Sequence, residues 1–404
     1  MRACGVLLPV TSLPSPYGIG CFSKEAYEFV DQLEKAGQKY WQILPLGPTG
    51  YGDSPYQSFS TFAGNPYLID LVTLIEEGLL TQEECAACDF GSDPSCVDYG
   101  KIYLHRNELL YKAYSRSKVE ENAEFQAFCE ENKDWLHDYA MYRAIKFQFD
   151  EKGWNEWDDD IRVRNPEALA YYEEKCKDEI LFQKYLQYEF NKQWKKLKGY
   201  ANKKGIEIIG DVPIYVAFDS ADSWAHPELF QFDENNTPIE VSGCPPDGFS
   251  ATGQLWGNPL YDWEYHKKTG YAWWISRIQY SSYLYDIVRI DHFRGFDEYY
   301  AIPYGDATAE NGRWKQGPGY DIFKVIKEKM GSIKIIAEDL GYLTESVIEL
   351  VNRTGYPGMK IIQFAFDSRE SGDYLPYKYG KNSVVYTGTH DNNTTVSYTH
   401  LTLP

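Results

Sequence analysis

The sequence predicts an α/β protein in which parallel strands form a (β/α)₈ TIM barrel with helical insertion subdomains. Three observations lead to this prediction. Short runs rich in Val, Ile and Leu recur along the chain, amphipathic helical segments separate most of them, and acidic residues follow several of them. Parallel strands read as continuous apolar runs because helices cover both faces of their sheet.

Seven segments have the composition of buried strands. They are 5–10 (GVLLPV), 39–46 (KYWQILPL), 206–216 (IEIIGDVPIYV), 287–293 (IVRIDHF), 334–341 (KIIAEDLG), 359–366 (MKIIQFAF) and 383–389 (SVVYTGT). The segment between the first two has its apolar side chains on one helical face, with Ser23 as the expected N-cap and Gly37 as the expected end. Because a barrel of this class has eight strands, we expect the eighth to be missing from this sequence.

Two insertions interrupt the alternation of strands and helices. Residues 72–203 are rich in Glu, Lys and Tyr with helical periodicity, and predict a helical subdomain. Residues 217–262 contain a Pro- and Gly-rich loop, and loops of this length are usually functional. The predicted organisation therefore has barrel strands 1–2 in 1–71, the insertion, and strands 3–7 with this active-site loop in 204–395.

Composition and charge restrict the class of partner. The formal net charge is −20, so nucleic acid and anionic membrane are not expected partners. No apolar run is long enough to span a bilayer, and the N-terminus lacks the features of a signal peptide, which favours the cytoplasm. The eight cysteines are scattered, and Cys85 and Cys88 have no second pair at zinc spacing, so neither a metal nor a cofactor is predicted.

Acidic residues follow four of the predicted strands, at the edge where the active sites of α/β barrels lie. They include Asp211, Asp291, Glu338 and Asp391. Arg289 and Asp291 share one face of their strand, and a guanidinium favours an ionised carboxylate, as a nucleophile requires. Glu338 follows an apolar strand, which favours a protonated general acid. One such acid alone could equally cap a helix, but the set predicts the carboxyl pair of a retaining glycosidase, roughly 5 Å apart.

Six motifs carry a resemblance to a known family. They are GDSPYQSFSTFAGNPYLIDL, GDVPIYVAFDSADSW, PPDGFSATGQLWGNPLY, VRIDHFRGF, IAEDLG and GTHDNNT. Together they resemble the 4-α-glucanotransferases, also called amylomaltases or disproportionating enzymes, which form glycoside hydrolase family 77 in the α-amylase clan. The resemblance runs from the first strand to Thr395 and implies a (β/α)₈ barrel with helical insertions.

The resemblance also implies roles for residues at matching positions. Asp291 matches the nucleophile, Glu338 the general acid/base and Asp391 the acid that stabilises the transition state. The residues expected to bind substrate or to orient the acids are Tyr51, Ser54, Tyr56, Asp211, Phe249, Gln254, Trp256, Arg289 and His390. For Phe249 and Trp256, packing within a large loop is an equally good reading of the residues alone.

The implied activity is the transfer of α-1,4-glucan segments from a maltodextrin donor to the 4-hydroxyl of glucose or of a maltodextrin acceptor. It is a retaining double displacement that needs no cofactor. Two alternatives remain open, namely an α-glucan hydrolase of the same clan and a non-catalytic glucan-binding protein. The final residues, VSYTHLTLP, match nothing in the family, which continues with an eighth strand and closing helices. We therefore expect a C-terminal truncation and a non-native tail at 396–404.

Overall fold

The computed structural model describes the chain except at residues 1, 51, 94, 248–249, 342, 367–373 and 394–404. Two predicted site residues, Tyr51 and Phe249, and the tail predicted to be non-native therefore lie outside the described residues. The chain divides into two compact units. The first unit comprises Met1–Ile208, Tyr215–His266 and Ala301–Gly312, and the second comprises Ile209–Ile214, Lys267–Tyr300 and Arg313–Pro404.

The described residues form helices and strands that alternate only in part, because the helices between residues 71 and 203 follow one another without a strand. The helices are α1 (Lys24–Lys35), α2 (Leu71–Glu76), α3 (Gln82–Ala86), α4 (Tyr99–Ser117), α5 (Ala123–Glu131), α6 (Lys133–Gln148), α7 (Asp159–Arg162), α8 (Pro166–Lys175), α9 (Lys177–Lys203), α10 (Ala221–Ala225), α11 (Trp263–Lys268), α12 (Ala272–Leu284), α13 (Tyr320–Met330) and α14 (Glu345–Thr354). The strands are β1 (Gly5–Leu7), β2 (Tyr40–Gln42), β3 (Glu207–Pro213), β4 (Glu240–Cys244), β5 (Gln254–Pro259), β6 (Ile287–Asp291), β7 (Glu298–Pro303), β8 (Arg313–Gln316), β9 (Ile335–Ala337), β10 (Gly358–Ile361) and β11 (Ser383–Tyr386).

Helix α1 forms where the apolar periodicity predicts it, but its start differs from the expectation. Ser23 occupies the N-cap position with extended backbone, yet its hydroxyl donates to the Oε2 of Glu25 at 2.5 Å and caps no backbone N–H. The predicted end is confirmed, because Gly37 has a φ of 70° and its N–H donates to the carbonyl of Glu34.

Helices α2 to α9 lie between β2 and β3 in the chain, where the sequence predicts an insertion. An aromatic core packs among these helices, with Tyr142, Trp154, Trp157 and Trp224 all buried. The Nζ of the buried Lys146 pairs with the Oδ2 of the partly exposed Asp219 at 2.5 Å. The division of the chain into domains at 72 and 203 stays a prediction.

The segment predicted as a long loop, 217–262, contains secondary structure that the sequence pattern did not indicate. It carries α10 and the antiparallel pair β4 and β5, whose register shifts between Val241 and Gly243. A Cβ added to Gly243 would lie 2.2 Å from the carbonyl oxygen of Gln254. Only glycine allows the two strands to approach this closely.

The strands that form at the seven predicted barrel positions pair in parallel, as predicted. In the first unit β1 pairs with β2. In the second unit β3, β6, β9, β10 and β11 pair in that order. All seven predicted strands are thus confirmed, although each is shorter than its apolar run because the run continues into the loop that follows.

Strand β3 reaches its partners through a close approach at Gly210. A Cβ added to this residue would lie 2.1 Å from the ring of Tyr285. The ring is buried and follows helix α12, so it cannot move into solvent. Gly210 therefore sets the distance between β3 and the end of α12.

No helix among the described residues is long and apolar enough to cross a membrane.

We expect Gly210→Ala to destabilise the protein by about 1–3 kcal/mol, because the methyl group overpacks a rigid contact. Thermal or urea unfolding measures this change. Gly199→Ala is the matched control, since Gly199 lies inside α9 with open space around its Cβ position. This control is expected to gain about 0.5–1 kcal/mol from helix propensity. Equal stability of the two variants would contradict the account.

Candidate active site

The register of three neighbouring strands in the second unit places the predicted acids side by side. Asp211 of β3 lies opposite Arg289 of β6, and Ile290 of β6 lies opposite Ala337 of β9. Asp291 and Glu338 each follow one residue later, on the other face. Neighbouring strands are about 4.8 Å apart, so this register gives the short carboxyl separation of a retaining pair.

The guanidinium of Arg289 joins two of these carboxylates. Its Nη1 donates to both oxygens of Asp211 at 2.6 Å, and its Nη2 lies 2.9 Å from the Oδ1 of Asp291. The predicted common face of Arg289 and Asp291 is therefore confirmed. The side chains of Arg289 and Asp211 are 2% and 0% exposed, whereas that of Asp291 is 29% exposed. Of the two carboxylates, Asp291 is the one that solvent or a ligand can reach.

The carboxylate of Glu338 is held by two backbone donors. The N–H of His292 donates to Oε2 at 2.7 Å, and the N–H of Leu340 donates to Oε1 at 2.8 Å. His292 has a φ of 52°, in the left-handed region, and precedes a 3₁₀ turn at Phe293–Phe296. This backbone turn at the end of β6 directs the His292 N–H toward the neighbouring strand, and it fixes both oxygens of Glu338.

Burial perturbs both acids. It raises the pKa of Asp291 to about 8, opposed by the charge of Arg289 and assisted by the negative charges of Asp211, Glu338 and Asp391. Burial also raises the pKa of Glu338, while Arg289 and the two backbone donors oppose this rise. Because the two groups interact strongly, they titrate as a pair, and the pair retains one proton near neutral pH. The direct Arg289 contact to Asp291 favours placing this proton on Glu338.

The imidazole of His292 does not take part in this proton exchange. Burial, assisted by the positive charge of Arg294, lowers its pKa to about 3. His292 is therefore neutral over the range in which the carboxyl pair titrates. Its contribution to the site is the backbone N–H, which the sequence pattern did not reveal.

The third predicted acid follows β11 in a polar turn. The side chain of Asp391 is 70% exposed, and its Oδ2 lies 3.3 Å from the Nε2 of His390. The turn is closed by Asn392, whose Oδ1 accepts both the N–H and the hydroxyl of Thr389 at 2.9 and 3.0 Å. Asp391 is thus presented outward on an ordered turn.

The predicted substrate-binding residues that the structure describes outside this cluster lie in the first unit. The hydroxyl of Ser54 accepts the N–H of Tyr56 at 3.4 Å. The exposed side chain of Gln254 accepts the indole N–H of Trp256 at 3.1 Å, and Trp256 is half-buried. The side chain of Ser54 is thus held by the backbone of Tyr56, and the side chains of Gln254 and Trp256 hold each other.

Gln57 connects the two predicted binding segments of the first unit. Its Nε2 donates to the carbonyl of Trp256 at 3.4 Å, and its Oε1 accepts from Asn258 at 3.4 Å. The structure thus brings the segment after β2 together with β5. Gln57 was not singled out from the sequence, because its partners lie 199 and 201 residues away.

Two further residues near the acids were missed as site residues. Asp339 accepts the N–H of Met359 at 2.7 Å, and the Sδ of Met359 lies 3.3 Å from the Nε of Arg289. The register of β9 and β10 could have revealed them, but register does not follow from one sequence. Among the described residues, no group of three or more His, Cys, Asp or Glu side chains could hold a metal ion.

A parallel α/β sheet that ends in two neighbouring carboxyls, one of them held by a guanidinium, has the arrangement that retaining carbohydrate-active enzymes use. The comparison with family models agrees and is more specific. The model of glycoside hydrolase family 77, described as 4-α-glucanotransferase, matches residues 8–402. This chain belongs to that family.

Individual relatives agree with this assignment. A 4-α-glucanotransferase of Clostridium butyricum is 55% identical over 95% of this chain and 79% of its own length. That of Streptococcus pneumoniae strain TIGR4 is 54% identical over 98% of this chain and 79% of its own. The amylomaltase of Streptococcus agalactiae, solved in complex with acarbose, is 46% identical and has a TM-score of 0.96 over 99% of this chain and 81% of its own. The chain therefore has the amylomaltase fold, as the sequence predicts.

The proton that Asp291 and Glu338 share makes stability depend on pH. The folded state binds a proton more tightly than the unfolded state, in which the carboxyl titrates near pH ~4. Stability is therefore fully present below that pH and is lost as the pH rises toward about 8.

We expect Asp291→Asn, which removes this titration, to raise the Tm at pH 8 by about 3 °C or more. The difference should shrink as the pH falls to about 4, and a scan of Tm against pH measures it. Asp321→Asn on α13, whose exposed carboxylate lies 3.5 Å from the Nζ of Lys267, is the control and should not raise the Tm at pH 8. Parallel curves for Asp291→Asn and the wild type would contradict a proton shared by Asp291 and Glu338.

Proposed function

We propose that this chain transfers α-1,4-glucan segments from a maltodextrin donor to the 4-hydroxyl of glucose or of another maltodextrin, with retention at the anomeric carbon. Membership of the 4-α-glucanotransferase family supports the transfer of α-1,4-glucan segments. The observation that carries the assignment of residues is the contact of Arg289 with Asp291 in a strand register that places Glu338 alongside.

In the first step Asp291 is the nucleophile. Its carboxylate attacks the anomeric carbon of the donor, a C–O bond to the enzyme forms, and the glycosidic C–O bond breaks. Glu338 donates its proton to the departing oxygen, so the leaving chain departs as a neutral alcohol. Glu338 carries the shared proton in this step because the Nη2 of Arg289 lies 2.9 Å from Asp291, which favours the anionic form of Asp291.

In the second step the acceptor sugar resolves the glycosyl-enzyme. Glu338, now ionised, accepts the proton of the acceptor's 4-hydroxyl, and the oxygen attacks the anomeric carbon. The ester bond to Asp291 breaks and its carboxylate returns to the Arg289 contact. Two inversions give overall retention, and the groups that react are carboxyls and hydroxyls, so the mechanism needs no cofactor.

The remaining predicted residues have supporting roles. Asp391 is exposed on its turn and supplies negative charge to the oxocarbenium-like transition state, with His390 beside it. Asp211 and Arg289 were predicted to bind substrate or orient the acids. Their burial against each other supports the second role, since Arg289 holds Asp291 and Asp211 holds Arg289.

In the first unit, Ser54, Tyr56, Gln254 and Trp256 offer hydroxyls, an amide and aromatic faces, which suit sugar hydroxyls and sugar rings. Tyr51 and Phe249 are proposed to act with them on the strength of the family resemblance. The net charge of −20 supports neutral glucans as partners and disfavours nucleic acid and anionic membrane. We propose a cytoplasmic location, because the N-terminal sequence lacks the features of a signal peptide.

We expect maltotriose to be converted into a ladder of shorter and longer oligomers, which product chromatography resolves. Asp291→Asn should lower the rate by at least about 10³-fold, because the nucleophile is lost. The control Asp321→Asn, an exposed acid of α13, should retain the wild-type rate. Glucose and maltose as the sole products would identify a hydrolase, and full activity of Asp291→Asn would indicate that these acids are not catalytic.

The stereochemistry of azide rescue separates the two acids. With α-maltosyl fluoride, whose leaving group needs no proton, Glu338→Ala should still form the glycosyl-enzyme, and added azide should release α-maltosyl azide. Asp291→Ala lacks the nucleophile, so azide should attack the donor directly and give the β anomer. Proton NMR of the products distinguishes the anomers. The opposite pairing of anomer and variant would reverse the assigned roles.

A further inference from the structure

Met359 is a buried side chain at the level of the two acids, and the proposed mechanism assigns it no role. Gly358 of β10 lies opposite Ala337 of β9, so Met359 is level with Glu338. Glu338 is in turn level with Asp291 on β6. The three side chains therefore stand in one layer across three neighbouring strands, and they point to the same face of the sheet.

The sulfur of Met359 contacts the arginine that holds the nucleophile. The Nε of Arg289 donates to the Sδ of Met359 at 3.3 Å, within the range of a hydrogen bond to sulfur. The other two nitrogens of the guanidinium contact Asp211 and Asp291. The planar guanidinium thus has a partner at each of its three nitrogens, and its orientation is set from three directions.

The backbone of Met359 is itself held in place. Its N–H donates to the Oδ1 of Asp339 at 2.7 Å. A Cβ added to Gly358 would lie 2.4 Å from the other carboxylate oxygen of Asp339, so this glycine permits the approach. Because Met359 is fully buried and its backbone is fixed, the sulfur has little freedom to move away from Arg289.

A thioether suits this position better than the alternatives. It accepts a hydrogen bond weakly and carries no charge, so it leaves the positive charge of Arg289 to the two carboxylates. A third carboxylate at this point would compete with Asp291 for the guanidinium. A hydrocarbon side chain of the same volume would fill the space but would not replace the sulfur as an acceptor for the Nε–H.

We propose that Met359 is a positioning residue for the nucleophile: its sulfur accepts the Nε–H of Arg289 and so keeps the guanidinium oriented with Nη2 on Asp291. This inference rests on the proposed function, because it needs Asp291 to be the reacting carboxylate. It assigns Met359 no contact with the substrate. The expected consequence is an effect on kcat and on its pH dependence with little effect on KM.

The experiment compares Met359→Leu, which keeps the volume and removes the acceptor, with Met359→Gln, which keeps the length and supplies an amide oxygen. Maltotriose disproportionation is measured over a range of pH. Met359→Leu should lower kcat about threefold to tenfold, the size of one buried hydrogen bond, with KM almost unchanged. Its acid limb of kcat/KM should move to higher pH, because Asp291 loses part of its stabilisation as an anion. Met359→Gln should restore the wild-type limb.

Met141→Leu is the matched control, since Met141 is buried among the helices of the first unit and should leave the pH profile unchanged. The inference is overturned if Met359→Leu has the wild-type profile, or if the Leu and Gln variants are impaired equally, which would indicate packing. If Met359→Leu does not fold, the Met359→Gln variant alone tests the inference. An acid limb of kcat/KM at the wild-type pH would then support it, and a shifted acid limb would contradict it. An active Asp291→Asn would instead overturn the proposed function.

Discussion

The ion contacts of Arg289 are the interaction on which the rest of the site depends. One guanidinium lies between Asp211 and Asp291 in a region where it is itself 2% exposed. Isolated buried carboxylates would take up protons and lose their charge. A single positive charge cannot neutralise Asp211, Asp291 and Glu338 together, and burial raises the pKa of both Asp291 and Glu338, which favours one proton on that pair. The site therefore holds both an anion and an acid at neutral pH.

The backbone decides which carboxyl takes which role. Parallel pairing with Ile290 opposite Ala337 sets Asp291 and Glu338 at the ends of neighbouring strands. The left-handed conformation of His292 then turns its N–H onto Glu338, away from Asp291. Asp291 is left with the guanidinium and a path to solvent, and Glu338 with two neutral donors. Two acids of similar intrinsic strength thus acquire different chemistry from their neighbours.

Much of this arrangement could be predicted from the sequence. The apolar runs located all seven strands, and the period of 2 along β6 placed Arg289 and Asp291 on one face. The partners across strands could not be predicted, because register depends on how distant segments pack. The contacts of Met359 with Arg289 and of Glu338 with His292 are of this kind.

Local expectations also failed where a side chain found a better partner, as Ser23 did in Glu25. The pair β4 and β5 was missed because its strands are short and interrupted by glycine, which resembles a loop in composition. In both cases the deciding contact lies within the segment whose pattern was read, but composition does not show which of several local partners a group will take.

The central claim is that Arg289 keeps Asp291 ionised as the carboxylate that reacts. The most direct test is to trap the covalent intermediate with a maltosyl fluoride that carries a second fluorine on its reacting sugar ring. This substituent slows the second step, the breakdown of the glycosyl-enzyme, so that the intermediate accumulates. Digestion and peptide mass spectrometry then locate the sugar. The account predicts a single maltosyl ester on Asp291, absent when Asp291 is replaced by Asn. A sugar attached to Glu338 or Asp391 in the wild-type protein would contradict it.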